Sequence, residues 1–284
     1  MKSQIHELQK ANRISVSKQI LYVILASITF FGCNNSSKEN PEQKPATHQE
    51  IMSRLDKPKL NIKTVGILLY DNFSTMDAMG PYQVLSEMMG TQVFFVSKHK
   101  GIIKNSSGVK IQVDRDFSDT KNLDILLIPG GGTETLLLTK DKETLEWIKK
   151  IDKTTQFTTS VCNGAWILGA TGLLKGKNAT SHWYNAKEML TMYGATFQQE
   201  RWVRDGKYWT SAGITAGIDM SLAIVQEVRG DNYLKITMLD LEYDPKPPLQ
   251  GGSVTNTDKE TVKMMKEMYD SMFGPILDSL KTVK

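Results

Sequence analysis

The chain has 284 residues, with 35 basic and 31 acidic side chains for a net charge of +4, four histidines and two cysteines. Lys2, Lys10, Arg13 and Lys18 against Glu7 give residues 1–32 a net +3, which leaves about +1 for the rest. No basic stripe for nucleic acid remains. With so few histidines and cysteines, no run has metal-ligand spacing, so neither a metal nor a cofactor is expected.

The basic leader precedes an apolar run, Ile20 to Phe31, that is short for a membrane span. Gly32 and Cys33 follow in the manner of a bacterial lipobox, which resembles a signal whose cysteine is lipidated. The alternatives are an ordinary secretory signal or an N-terminal anchor helix. The expected protein is exported and held to a membrane through Cys33. Residues 33–59 are rich in Asn, Ser, Lys, Glu, Gln and Pro and read as a flexible tether, with a short helix beginning over 52–58.

A globular domain is expected over residues 60–253. Thr64 to Tyr70 is a continuous apolar run suited to a strand buried on both faces. Gly80-Pro81 opens a helix to about Met89, since proline suits a first helical turn. Gln92–Ser97 is the next strand, and 101–103 with 109–113 form a hairpin around Asn105-Ser-Ser-Gly108. Leu123–Ile128 is another buried strand running into Pro129-Gly-Gly-Gly132, followed by an amphipathic helix from Asp141 to about Ile151. Phe157–Val161 is β-type and feeds Cys162, after which a small-residue helix begins at once. A short strand over Asn178–Ser181, a helix near Asn185–Met192, a hairpin of 196–203 with 207–210, and helices over 214–228 and about 232–241 complete the domain. Residues 254–284 form a C-terminal helical extension. Thr257 and Glu260 have capping-box spacing there, and Val262, Met265, Met268 or Tyr269, and Met272 form its apolar stripe. Strands alternating with helices predict an α/β three-layer sandwich, doubly wound on a mostly parallel sheet.

Ligands of such sheets bind beyond the carboxyl ends of the strands. Cys162 falls there, on a strand-to-helix turn, where first-turn amides and the helix dipole favour a thiolate nucleophile. The alternative is an inert buried cysteine. Asp77 also falls there, either as an acid/base with a raised pKa or, like Thr75, as a helix cap. The Gly130–Gly132 run is either a tight turn or, with the amides of Gly131, Gly132 and Asn163, an oxyanion hole. His182, at the end of Ala179-Thr-Ser-His-Trp183, either tunes the thiol or is structural. Thr215, in Gly213-Ile-Thr-Ala-Gly-Ile-Asp219, either walls the pocket or packs helix on sheet, with Asp219 bonded locally.

Six ordered blocks carry a family resemblance: 76–85 (MDAMGPYQVL), 128–131 (IPGG), 159–162 (TSVC) with 169–174 (GATGLL), 179–183 (ATSHW), 213–219 (GITAGID) and 241–248 (LEYDPKPP). Together they resemble the ThiJ/PfpI superfamily, with its class I glutamine amidotransferase-like fold, and within it the isonitrile hydratase branch. The resemblance implies that Cys162 is the elbow nucleophile and that Asp77 faces it. It implies a small-molecule substrate and a homodimer. Asn163 stands where the protease-like branch has His and the hydratase branch Thr, so it supplies an amide without a hydroxyl. The expected activity is cysteine-dependent hydration or hydrolysis of a small electrophile, most specifically of an isonitrile through a Cys162 thioimidate. The alternatives are a glyoxalase- or deglycase-like enzyme and a redox- or ligand-sensing lipoprotein.

Overall fold

A computed structural model describes residues 46–282 except Ser106. The leader, Cys33 and the tether as far as residue 45 lie outside the described residues. Residues from His48 onward form one compact unit. No helix among the described residues is long and apolar enough to cross a membrane.

The sheet grows from the apolar runs. β1 (Thr64–Leu68), β6 (Ile125–Ile128) and β7 (Phe157–Val161) are almost wholly buried, as strands covered on both faces must be. β2 (Gln92–Ser97) and the two-residue β5 (Arg115–Asp116) extend one flank. β10 (Trp202–Asp205) and β11 (Tyr208–Ser211), a hairpin, extend the other. The order is β10-β11-β7-β6-β1-β2-β5, parallel throughout except for the β10–β11 pair. β3 (Gly101–Lys104) and β4 (Lys110–Val113) form the expected separate hairpin. The strand expected over 196–203 is divided. β9 (Thr196–Phe197) pairs in parallel with β8 (Asn178–Ala179), and only Trp202 onward enters the main sheet.

The helices are α1 (His48–Met52), α2 (Thr75–Ser86), α3 (Thr133–Leu138), α4 (Lys142–Asp152), α5 (Gly164–Ala170), α6 (Ala186–Met192), α7 (Ile214–Arg229), α8 (Asp231–Asp240) and α9 (Lys259–Thr282). They flank both faces of the sheet, with α2, α7 and α8 packed together and α5 packed with α3, α4 and α6. The short helix expected over 52–58 lies earlier, at 48–52.

Two helix starts correct the sequence reading. α2 begins at Thr75, not at Gly80-Pro81, so Pro81 sits inside it and removes one bond to the Asp77 carbonyl. The position stays helical because α2 must lie close to α7: a Cβ on Gly80 would come within 2.9 Å of Ile218 Cγ1. α9 is capped by Asp258 rather than Thr257; its carboxylate accepts the Thr261 N–H at 2.9 Å. On that helix Phe273 and Leu277 are buried, whereas Met268 and Met272 face outward. The inward stripe therefore runs Val262, Met265, Tyr269, Phe273 and Leu277, each three or four residues from the last.

From β1 the chain first builds outward to β2, then returns to place β6 on the other side of β1. That reversal opens a crevice beyond the carboxyl ends of β1 and β6. Backbone bonds stitch the two loops that leave these strands. Phe73 bridges Gly131, the Ser74 N–H donates to Gly130 O at 2.8 Å, and the Gly132 N–H donates to Asn72 O at 3.1 Å.

Candidate active site

Cys162 extends the β7–β11 ladder through its N–H, which donates to Ser211 O at 3.0 Å. It then turns the chain with φ +60°, a left-handed conformation that a non-glycine residue adopts only when its surroundings enforce it. Two glycines make room for the turn. A Cβ on Gly164 would strike the carbonyls of Ile128 and Pro129. One on Gly130 would strike Asn163 Oδ1 and come within 2.8 Å of Cys162 Cβ and 2.9 Å of Asp77 Oδ2. Gly130 therefore marks where nucleophile, carboxylate and glycine loop meet. The Ser181 hydroxyl donates to Cys162 O at 3.1 Å and fixes the elbow from a third side.

Asp77 lies in the first turn of α2 and is fully buried. It is not the helix cap. Its Oδ2 accepts the Gly130 N–H at 3.2 Å, and the Ser74 hydroxyl and the Cys162 thiol also bond its carboxyl group. Ser74 holds the N-cap position yet makes no side-chain cap, because its hydroxyl serves Asp77. Oδ1 is left without a well-aligned partner, so a proton can sit there at no cost to an existing bond. Burial pushes the Asp77 pKa up to about 6, against the opposing pull of Cys162, Gly130 and Ser74.

The thiol departs from expectation. Its packed surroundings, and then the Asp77 carboxylate, raise its pKa well above the ordinary value, and only the Asn163 amide pulls it down. A five-residue strand feeding a seven-residue helix supplies too little dipole to outweigh desolvation beside a carboxylate. The Cys162 thiol therefore keeps its proton at neutral pH and donates it in a hydrogen bond to the Asp77 carboxylate.

The glycine loop also differs from expectation. The Gly131 N–H donates to Asn163 Oδ1 at 2.9 Å, and Asn163 Nδ2 donates back to Gly131 O at 3.0 Å. The Gly132 N–H is taken by Asn72 O. Of the three amides expected to form an oxyanion hole, two are thus occupied, and the third, that of Asn163, faces the sulfur. Tyr70, buried beneath, steadies the loop through hydrogen bonds of 2.9 Å to Pro129 O and to Thr135 Oγ1.

A cavity of about 950 Å³ opens above Cys162. His182 and Thr215 both line it. Burial lowers the His182 pKa to about 4, which keeps the ring neutral. Its Nδ1 accepts the Tyr184 N–H at 3.4 Å, and no hydrogen bond joins it to the thiol. Thr215 receives a bond of 3.2 Å from Arg201, which is in turn paired with Asp219 at 2.5 Å. Asp219 also accepts the Tyr243 hydroxyl and so fastens the 241–248 connector to α7.

Sequence reasoning missed the other wall. Residues 251–256 and the α9 side chains Tyr269 and Phe273 line the cavity opposite the elbow. Tyr184 donates to Asp270 at 2.9 Å, and the Tyr184 and Tyr269 rings stack at 5.0 Å, which holds α9 in place. The only signal available was Tyr269's ambiguous place beside Met268 in the apolar stripe.

Comparison with known proteins places the fold in a known family. The sequence pattern of the DJ-1/PfpI family matches residues 63–227. Isonitrile hydratase of Pseudomonas putida is 39% identical over 190 residues, covering 66% of this chain and 82% of that protein. A deglycase of Pyrococcus abyssi is 29% identical over 150 residues, covering 52% of this chain and 88% of the relative. The crystal structure of a ThiJ/PfpI family protein from Pseudomonas syringae superposes with a TM-score of 0.75 at 32% identity, over 84% of this chain and 97% of that one.

Proposed function

The chain belongs to the DJ-1/PfpI family, and on that premise we propose that it is a cysteine-dependent hydratase of a small electrophile, most specifically an isonitrile. The observation that carries this reading is the partly exposed Cys162 against the buried Asp77 at the foot of the cavity. Transfer of the thiol proton to Asp77 creates the nucleophile where it is used. The sulfur then bonds to the terminal carbon of R–N≡C, and that carbon takes the proton back from Asp77, giving the thioimidate R–N=CH–S. Water adds across the C=N bond, oxygen to carbon and proton to nitrogen. Expulsion of sulfur as the hydroxyl proton returns to the pair gives R–NH–CHO and the free thiol.

The test is to follow formamide from several isonitriles with the wild-type protein and with Cys162→Ala and Asp77→Ala. Turnover lost in both variants is expected. Wild-type inactivity on every isonitrile would sink the reading, and activity surviving in Asp77→Ala would remove that residue from its role.

A second reading, hydrolysis of reactive-carbonyl adducts, is supported by the Pyrococcus abyssi deglycase relative. It uses the same thiol and is separated from the first by substrate alone. A redox sensor needs a standing thiolate, whereas the surroundings of Cys162 hold it protonated. The proposal extends to place: the protein is exported, anchored through a lipid on Cys33, and works as a homodimer on small molecules.

A further inference from the structure

We propose that Tyr269, from the C-terminal helix, is a catalytic residue whose hydroxyl hydrogen-bonds the electronegative atom attached to the carbon that Cys162 attacks. The inference rests on the reading of Cys162 as nucleophile but not on the isonitrile as substrate. Three observations lead to it.

First, thiolate attack at a C=O carbon, like the addition of water across the C=N bond of the thioimidate, builds charge on the heteroatom, and a positioned donor there is commonly the largest electrostatic contribution to catalysis. The glycine loop does not supply it. Asn163 Oδ1 occupies the Gly131 N–H, Asn72 O occupies that of Gly132, and the Asn163 N–H is turned to the sulfur. The hydroxyls nearest the elbow are used as well. Ser74 serves Asp77, Ser181 serves Cys162 O, and Thr180 donates to Glu200 O at 3.0 Å.

Second, Tyr269 lines the same cavity and lies within electrostatic range of Cys162. Its ring is clamped on several sides. It stacks on Tyr184 at 5.0 Å and on Phe273 at 5.7 Å, and meets His182 and Trp183 edge-on at 5.4 and 5.7 Å. A ring so held aims its hydroxyl without further ordering cost.

Third, that hydroxyl is unused. No hydrogen bond within the described residues reaches it. The phenols of Tyr70, Tyr184, Tyr208, Tyr233 and Tyr243 are all bonded, to Pro129 O, Asp270, Asp152, Glu87 O and Asp219 respectively. Burial and the neighbouring sulfur both raise the Tyr269 pKa, so the phenol keeps its proton and remains a donor at neutral pH.

The test compares the full-length wild type with Tyr269→Phe, which keeps the ring and removes only the oxygen. Three probes are used: an isonitrile, propionaldehyde (which forms a hemithioacetal with the thiol) and iodoacetamide. The last is attacked at a carbon with no heteroatom that gathers charge from a π bond. Tyr269→Phe should slow the isonitrile and aldehyde reactions by about 100-fold, the usual effect of losing one such donor, and leave alkylation by iodoacetamide unchanged. Should wild type ignore isonitriles while the variant still slows hemithioacetal formation, the proposed substrate fails and the role of Tyr269 stands. Hemithioacetal formation at the wild-type rate, or an equal loss in alkylation, would overturn it.

Discussion

Asp77 carries its function in its burial. A carboxyl group with a pKa near 6 that must accept the thiol proton is useless once protonated, so kcat/KM should rise with pH through about 6. A profile flat from pH 5 to 8 would contradict Asp77 as the acceptor of the thiol proton. Stability follows the opposite course. The folded state holds this proton up to about pH 6 and the unfolded chain only to about 3.8, so the fold binds more protons between them and loses stability as pH rises through that window. Asp77→Asn removes the penalty and should unfold at higher urea than wild type at pH 8, by ~3 kcal/mol, with the gap closing at pH 4. Cys162 was legible from a strand running into a small-residue helix, whereas the spacing of Asp77 fitted a helix cap equally well and only the family resemblance set it opposite the thiol. The protonation of the two was not legible. That depends on how completely α2, the glycine loop and the elbow surround two side chains 85 positions apart in the sequence. Asn163 illustrates the same limit. The residue was visible as an amide donor, but the two-way clasp on Gly131 exists only once the loops meet.

At the level of elements, every central strand could be read from its apolar run, since burial on both faces leaves no polar alternation to confuse. Errors gathered where tertiary packing overrode a local rule. Pro81 argued for a helix start, and close packing on Ile218 made it an interior position. The Thr257 capping box lost to Asp258, one residue on, whose carboxylate reaches the third amide of α9. Asp258→Ala should therefore lower stability by about 1 kcal/mol, read as a lower melting temperature. Phe273→Ala, which opens a hole among Trp166, Tyr184 and Leu277, should cost about 3 kcal/mol. If α9 is as much a part of the site as its contacts indicate, Phe273→Ala should also depress turnover beyond what the unfolded fraction explains. A melting curve identical to wild type would mean that α9 does not bear on the core cluster.

For the whole molecule, two proposals concern what surrounds the catalytic body. Cys33→Ser should abolish incorporation of labelled palmitate and move the protein from the membrane to the soluble fraction of the cells that express it, while leaving catalysis by the purified protein intact. Palmitate retained in the variant would refute lipidation at Cys33. The homodimer predicts about twice the chain mass by light scattering. The doubly wound architecture was the most legible feature of all, because alternating strand and helix signals leave one handed solution for a parallel sheet. The position of the last helix was the least legible. An amphipathic stripe says that a face is covered and does not say by what.

The cavity has one wall inside the family's common span and one beyond it. The elbow, Asp77 and the glycine loop lie inside residues 63–227, the span shared with the DJ-1/PfpI family. Residues 251–256, Tyr269 and Phe273 lie beyond it. Under the proposed function, reactivity belongs to the common span and the contacts that discriminate among substrates to the segment after it. Grafting another member's C-terminal segment onto this body would exchange substrate preference and leave the thiol's chemistry intact.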